Sequence, residues 1–248
     1  MSVPMSQSRP QLFGVLAGLF LAAGLVLSAT LLARAWMKIA ERESINVTGS
    51  ARKSVRSDMI VWRGSFAVEA TDLLTAQRKL KADLAKVEGF LQAKAVTNYA
   101  VGNVGIQELR SMVKLENETV QRLSGYRLMQ VVEIRTADVD RVAKLDRESV
   151  ALVEAGVLFT SDAPQFIYTK AGDDKVEMLS EATRDARARA DQIASQGGRE
   201  IRRLQSARMG VFQITPVHSI QTSWEGMNDT TSLDKTITAV VTATFGLE

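Results

Sequence analysis

The strongest pattern in the sequence is an apolar run over residues 12–33, which contains no charged residue, proline, asparagine or glutamine. As a helix, this run would extend for roughly 33 Å, enough to cross the hydrocarbon core of a bilayer. It is apolar on every side, whereas a helix of a soluble domain usually keeps one polar face. We therefore predict a transmembrane anchor, whose marker residues are Leu12, Phe20, Leu27, Leu32, Arg34 and Trp36.

A cleavable signal peptide is the alternative interpretation of the same stretch. Ala33, Arg34 and Ala35 have the small-x-small form of a cleavage site, and cleavage there would make Trp36 the first residue of the mature chain. However, the apolar run is longer than the roughly 7–15 residues of such peptides, and only Arg9 provides a basic start. The length of the run therefore favours an uncleaved anchor.

Alternation of apolar and polar residues begins after the anchor and predicts a folded, water-soluble domain. Ile60, Trp62 and Phe66 occupy alternate positions with more polar residues between them, so residues 58–70 are predicted to form a strand with one buried face. The same arguments predict further strands over 44–49, 106–115, 126–135, 157–170, 200–214 and 235–247, and helices over 72–94, 138–155 and 175–196. Thr71 or Asp72 is the predicted cap of the first helix. The predicted inward positions include Leu73 in the first helix, Val153 in the second, and Val176, Ile193 and the alanines between them in the third, where small residues permit a close approach to a sheet.

The order of these elements is β, then βαββαβ, then αββ, and the middle part matches ferredoxin-like folds. We predict an α+β fold in which a single N-terminal transmembrane helix precedes mostly antiparallel sheets with helices on one face. The predicted tail and anchor cover residues 1–43, and one domain covers 44–248. Within it, 58–170 form the ferredoxin-like part, and 171–248 form an αββ part that pairs with the first strand, 44–50.

The charge of the chain excludes some partners and complicates its orientation. Of the net charge of +3, residues 1–43 carry +2, which leaves +1 for residues 44–248 and no electrostatic footprint for nucleic acid. Five lysines and arginines lie between positions 34 and 53, whereas only Arg9 precedes the anchor. By the positive-inside rule alone, this bias favours a cytoplasmic C-terminal domain.

Candidate chemistry is sparse. The chain has no cysteine, so it has no disulfide and no thiolate ligand or nucleophile. It contains no zinc-protease, nucleophile-elbow or P-loop motif, and its only histidine, His218, has no second histidine with which to share a metal. We therefore predict no catalytic, cofactor-binding or metal-binding residues, no cofactor and no enzymatic activity.

The loop over residues 215–233 is the predicted interaction site. Trp224 lies between two strands, where an exposed aromatic could anchor a partner subunit or a lipid surface, or could fold back onto its own domain. With Pro216 and His218 it forms the candidate interface. The last strand, 235–247, has Lys235 as its only charge, and such an edge invites association unless it is covered. We expect residues 45–49 to cover one side and the loop to reach a neighbouring copy.

Four stretches resemble the motifs of a known family. Residues 45–50 (INVTGS) resemble an opening I-x-V-x-G-x strand, and residues 124–127 (SGYR) resemble a G-Y-R strand start. Residues 181–190 (EATRDARARA) resemble an alanine-rich A-x-x-D-A-R-x-K-A helix, and residues 237–245 (ITAVVTATF) resemble a threonine-alternating final strand. Their order and spacing are similar to those of the SIMPL-domain family of bacterial envelope proteins, a domain of unknown function that includes the periplasmic immunogenic protein. The resemblance covers residues 44–248.

The resemblance implies an exported protein with no agreed enzymatic activity, homo-oligomeric assembly, and an association with envelope or oxidative stress. Because long domains can cross a membrane despite nearby charges, it outweighs the charge bias. We expect a single-pass protein of the bacterial inner membrane with its C-terminal domain in the periplasm. The chain departs from its relatives in its retained leader and in the lack of a proline- and alanine-rich stretch after Pro216.

Two classes of function remain open. The favoured one is a non-catalytic, membrane-anchored domain that assembles with itself, as an oligomer larger than a dimer, into a scaffold or shell. The alternative is a small-molecule or lipid-binding envelope protein, or an uncharacterised enzyme, with a pocket between sheet and helices. Its sequence support is the mixed strand face of Val61, Arg63 and Glu69. Apolar side chains exposed on a single copy favour assembly, whereas a closed apolar pocket with converging polar groups favours binding.

Overall fold

The computed structural model describes residues 10–40, 43–115, 118–221 and 223–248, and the side chains at 10–13, 38–40, 115 and 118 lie outside that description. The fold is α+β, with a helix ahead of mostly antiparallel sheets, as predicted. Its elements are α1 (Pro10–Ala40), β1 (Ser44–Arg56), β2 (Met59–Ala70), α2 (Leu73–Ala93), β3 (Ala100–Val101), β4 (Gly105–Leu115), β5 (Glu118–Thr136), α3 (Val139–Glu148), α4 (Val150–Glu154), β6 (Leu158–Ser161), β7 (Gln165–Ile167), α5 (Ala171–Gln196), β8 (Ile201–Met209), β9 (Gln213–Pro216) and β10 (Asp234–Leu247).

The larger sheet has the strand order of a ferredoxin-like fold. β2 and β5 pair in its centre, β4 and the short β3 lie beyond β5, and β6 and β7 lie beyond β2. All of these pairs are antiparallel. The stretch predicted as a single strand over 157–170 is divided into β6 and β7 around Pro164. The divided stretch lies at the edge of the sheet. This position is expected for Pro164, because proline has no backbone N–H to donate to a neighbouring strand.

One face of this sheet is covered by α2 and α3. The predicted inward residues of β2, Ile60, Trp62, Phe66 and Val68, are buried there. The Asp72 carboxylate accepts a hydrogen bond from the Thr75 backbone N–H at 2.9 Å, which caps α2 as the sequence predicts. The predicted inward residues Leu73 and Val153 are exposed instead. Leu73 lies in the first turn of α2, and Val153 lies beyond the break at Ser149 that separates α3 from α4.

The smaller sheet joins the beginning and end of the domain. β10 lies between β1 and β8, and β9 also pairs with β10. Pairing of the first strand with the last is therefore confirmed. β1 is longer than predicted and continues to Arg56, because Ala51 and Val55 keep the inward alternation after Gly49. The strand predicted over 200–214 is divided at Gly210, between β8 and β9.

The chain divides into two compact units. The first consists of Met1–Thr48, Ala186–Arg208 and Thr242–Glu248, with a small core in which Ala186 and Ala190 pack with Ala243 and Phe245. The second consists of Gly49–Asp185 and Met209–Val241 and contains the core of the larger sheet and a separate cluster.

The separate cluster of the second unit includes Met178 and Ala182 of α5 and Ile237 and Ala239 of β10. Small residues on α5 allow the helix to pack close to the strand, as predicted. Val176 and Ile193, which were also predicted to face inward, are exposed.

Candidate functional site

Helix α1 presents apolar side chains in every direction. Its segment Gly14–Met37 has a mean hydropathy of 2.4 and is long and apolar enough to cross a membrane. Phe20, Leu27, Leu32 and Trp36 are all exposed, and the side chain of Leu12 lies outside the described part of the chain. A helix of this kind near the N-terminus serves as a membrane anchor or as a signal sequence.

The second unit extends a hairpin of residues 105–115 and 118–125, which we call the arm and which has only two strands beyond Leu109 and Gly125. Pairing of β2 with β5 ends at Ala70 and Tyr126, so residues 118–125 of β5 pair with β4 alone. At the base of the arm, Gly125 lies against the chain turn after β2. A Cβ atom added to Gly125 would be only 2.5 Å from the carbonyl oxygen of Ala70, so this close approach requires glycine.

A β-bulge lies at the same point of the arm. Leu109 pairs with Gly125 and Arg110 pairs with Leu123, which leaves Ser124 as an extra residue in β5. The Ser124 hydroxyl donates a hydrogen bond to the backbone oxygen of Leu109 at 2.9 Å. A bulge bends the strand and increases its twist, so it sets the direction in which the arm leaves the sheet.

The arm exposes apolar side chains that the other described residues do not cover. Met112 is 73% exposed, and Leu123 and Ile106 are also largely exposed. A two-stranded hairpin is only marginally stable in water, and exposed apolar patches mark interaction surfaces. The sequence predicts β4 but not residues 118–125, because no regular apolar alternation marks that half of β5.

The base of the loop over residues 217–233 is held firmly to the smaller sheet. The side chain of Gln213 is hydrogen-bonded to both the backbone N–H and the backbone oxygen of Ser223. Ile214 donates its backbone N–H to Met227 at 2.7 Å and accepts the backbone N–H of Asp229 at 2.9 Å. The loop is therefore more ordered than its polar sequence suggests.

A buried ion pair completes this base. Lys235 and Asp229 are almost fully buried, with their charged atoms 3.5 Å apart, and the Lys235 ammonium also donates to the backbone oxygen of Asp229. Burial would raise the pKa of Asp229, but hydrogen bonds from Thr231 and Ser232 and the charge of Lys235 outweigh it and lower the pKa to about 2. Burial lowers the pKa of Lys235, and the nearby carboxylate partly offsets this. Lys235 lies on the inward side of β10 with Ile237, because side chains alternate along a strand. This alternation is visible in the sequence, so the inward position of Lys235 could have been predicted from it.

The tip of the loop points two side chains away from the domain. Trp224 is 84% exposed and Ile220 is 95% exposed. Trp224 therefore does not fold back onto its own domain. Of the three residues predicted as an interface, His218 and the strand end at Pro216 lie together, beside the outward face of the smaller sheet. Ile220, which the sequence analysis did not single out, is the more exposed apolar residue.

A polar groove of about 540 Å³ lies beside His218. Its floor is formed by outward side chains of three neighbouring strands, β1, β10 and β9, and its wall is formed by residues 217–221. The floor residues are Arg52, Ser54, Gln213, Thr215, Thr236 and Thr238. Thr215 pairs with Thr236 and Gln213 with Thr238, so these four side chains point to the same face.

The polar cluster of the second unit at Lys53 is internally paired. The Lys53 ammonium contacts Asp174 at 2.9 Å and Glu177 at 2.7 Å, and the Tyr168 hydroxyl donates to Asp174 at 2.6 Å. Burial and the hydrogen bond to Asp174 raise the pKa of Tyr168 to about 12. Among the described residues, no group of three or more histidine, cysteine, aspartate or glutamate side chains is placed to hold a metal ion. The cluster links β1 to α5 and is structural.

The mixed face of β2 encloses little space. Arg63 pairs with Glu133 at 2.7 Å and Glu69 with Arg127 at 3.7 Å, so the charges on this face are matched between neighbouring strands. The cavity lined by Val61 and Arg63 measures only about 30 Å³. The opposite face is filled by the core beneath α2 and α3. Among the described residues, the cavity at Val61 and Arg63 is therefore too small for a ligand larger than a few water molecules.

Comparison with protein families gives one match of wide extent. Residues 45–245 match the SIMPL family model, described as a protein of unknown function (DUF541). No curated protein matches the chain. The matched region covers nearly all of the chain after α1, from the start of β1 to the end of β10. The chain therefore belongs to the SIMPL family.

Proposed function

We propose that this chain is a single-pass protein of the bacterial inner membrane whose SIMPL domain lies in the periplasm. There it assembles with copies of itself into a closed, non-catalytic scaffold or shell larger than a dimer, associated with envelope or oxidative stress. The observation that carries the proposal is the arm, a projecting hairpin whose exposed apolar side chains Met112 and Leu123 are not covered by the described part of a single copy.

The charges of the arm suit a second copy. Residues 105–125 contain three acidic and three basic residues, so two arms can approach each other without net repulsion. Arg110 and Glu108 already form an ion pair on the arm at 2.8 Å. A neutral surface with exposed Met112 and Leu123 favours a like surface over a strongly charged partner.

An anchor would favour assembly of this kind. Helix α1 would confine all copies to one membrane, which raises their effective concentration and allows weak contacts to persist. The exposed Trp224 and Ile220 of the 217–233 loop add a second apolar surface, which supports a role of this loop in the interface. Exposed apolar side chains on a single copy are the outcome that favours assembly over ligand binding.

Substitution of the arm tests this assembly. We expect light scattering of the detergent-solubilised, full-length protein to give a mass larger than a dimer. Met112→Ser with Leu123→Ser should shift the particles towards monomer. Each lost side chain contributes roughly 1.5–3 kcal/mol when it is buried, which weakens the contact at least tenfold.

Val176→Ser is the matched control for the arm variant. Val176 is as exposed as Met112, at 73%, but lies on α5. Its particles should keep their mass. A monomeric wild-type protein would overturn the proposal, and an unchanged mass in the arm variant would exclude the arm as the contact.

Labelling of a single introduced cysteine tests the orientation. The chain has no cysteine, so Gln77→Cys, at an exposed position on α2, gives a site without background. In intact spheroplasts, a membrane-impermeant maleimide should label it as fully as in lysed cells. N-terminal sequencing of the labelled chain should find Met1, or a residue close to it, as the first residue. Labelling only after lysis would place the domain in the cytoplasm, and a chain that begins at Trp36 would exclude the anchor.

A further inference from the structure

Part of the floor of the groove beside His218 consists of polar side chains that have no hydrogen-bond or ion-pair partner among the described residues. Within the described part of the chain, the side chains of Arg52, Ser54, Thr236 and Thr238 make no hydrogen bond or ion pair within the second unit, and His218 makes none either. Hydroxyl and imidazole groups that converge on one space without partners can bind a polar ligand.

The groove carries positive charge and no negative charge. None of its lining residues is acidic, and Arg52 has no carboxylate partner among the residues that the structure describes. Its neighbours on β1 differ, because Lys53 contacts Asp174 and Glu177, and Arg56 contacts Asp140. Unlike these two cations, Arg52 keeps its guanidinium donors available for a ligand in the groove.

The wall of the groove, residues 217–221, is held in a defined conformation. Ser219 donates its backbone N–H to Pro216 at 3.1 Å, and Gln221 donates its backbone N–H to the Ser219 hydroxyl at 3.1 Å. His218 has a positive φ of 65°, a conformation that a non-glycine residue keeps only when its surroundings hold it. The wall therefore holds its shape beside the floor.

We propose that this groove binds a small hydroxylated molecule that carries a phosphate group. Arg52 provides charge-assisted, bidentate donors for the phosphate, and His218 on the wall lines the same groove. Ser54, Thr236 and Thr238 bind the hydroxyl groups of the ligand body. The site lies on the face of the smaller sheet opposite α5, and it does not depend on the assembly proposed above.

Glycerol 3-phosphate is the probe, because it combines a phosphate with two hydroxyls and is also the headgroup chemistry of phosphatidylglycerol. The full-length protein is placed in phosphatidylcholine nanodiscs and titrated by calorimetry. We expect saturable binding with a Kd of about 1 mM or tighter, and no binding of glycerol. In phosphatidylglycerol nanodiscs, weaker apparent binding would identify lipid as the source of the phosphate, and unchanged binding would identify a free ligand.

Substitutions distinguish this site from general attraction to cations. Arg52→Gln should weaken binding at least tenfold, and Thr238→Val, which removes one hydroxyl, should weaken it several-fold. Arg78→Gln on α2 removes the same charge away from the groove and should leave the affinity unchanged. Circular dichroism confirms that each variant is folded. An equal loss with Arg52→Gln and Arg78→Gln, or no saturable binding by the wild-type protein, would overturn the proposal.

Discussion

Replacement of Trp62 by alanine is expected to destabilise the SIMPL domain by about 3–5 kcal/mol. Trp62 is fully buried in the core of the larger sheet, and its ring stacks on Phe159 with the ring centroids 6.0 Å apart. The indole N–H donates to the Ser161 hydroxyl at 2.8 Å, and that hydroxyl donates to Asp146 at 2.7 Å. Truncation removes the largest buried side chain and breaks a hydrogen-bond chain between β2, β6 and α3.

Two further variants show which contacts of Trp62 account for this loss of stability. Trp62→Phe keeps much of the packing but removes the indole donor, so its cost should lie well below that of alanine. Trp224→Ala removes the same side chain from an exposed loop and, measured in the Met112→Ser, Leu123→Ser background to exclude an effect on assembly, should change stability by no more than about 0.5 kcal/mol. Urea unfolding of the three variants measures the differences. Equal losses for Trp62→Ala and Trp224→Ala would show that the assigned strand register is wrong.

Lys235→Met is expected to cost about 3–5 kcal/mol, because it leaves the Asp229 carboxylate buried without its cation. Lys79→Met, on the exposed surface of α2, should cost less than about 0.5 kcal/mol. Addition of Asp229→Asn to Lys235→Met should recover part of the loss, since neither charge then remains. Urea unfolding of the single and double variants gives the coupling between the two residues. A double variant as unstable as the sum of the single variants would show that the pair does not interact.

The same pair predicts a dependence of stability on pH. The folded-state pKa of Asp229, about 2, lies below the ordinary value of 3.8. Its contribution, about 2 kcal/mol, is therefore fully present above about pH 4 and is lost as the pH falls towards 2. In Asp229→Asn this acid-dependent loss should be absent, so the wild type and the variant should converge in stability at low pH. Parallel unfolding curves at pH 6 and pH 3 make the comparison.

The sequence allowed prediction of the elements whose burial follows a simple period. β10 alternates along most of its length, β2 places Ile60, Trp62, Phe66 and Val68 on one face, and the ferredoxin-like order follows from the spacing of strands and helices. In contrast, the inward face of α5 was misjudged at Val176 and Ile193. Contact with a sheet at short distance selects alanines such as Ala186 and Ala190, so the largest apolar residues of this helix do not mark its buried face.

The candidate sites were harder to predict from the sequence, because they depend on contacts between residues that are far apart in the chain. Arg52 and Thr238 are far apart in the chain, and only the pairing of β1 with β10 brings them into one groove. The second half of the arm, 118–125, has no apolar period of its own and becomes a strand by pairing with β4. A single sequence does not reveal such pairings, although it did predict that His218 and Trp224 lie in a loop between two strands.

Because of the bulge at Ser124, two properties of the arm can change independently during evolution. These are the set of side chains that the arm presents and the direction in which it leaves the sheet. Deletion of this one residue would leave every pair of β4 with β5 intact, so the arm would present the same side chains in a different direction. In a ring whose subunits meet through their arms, this angle sets the number of subunits that close the circle. Homologues with the same contact residues could therefore form particles of different diameter through an insertion or deletion at this single position.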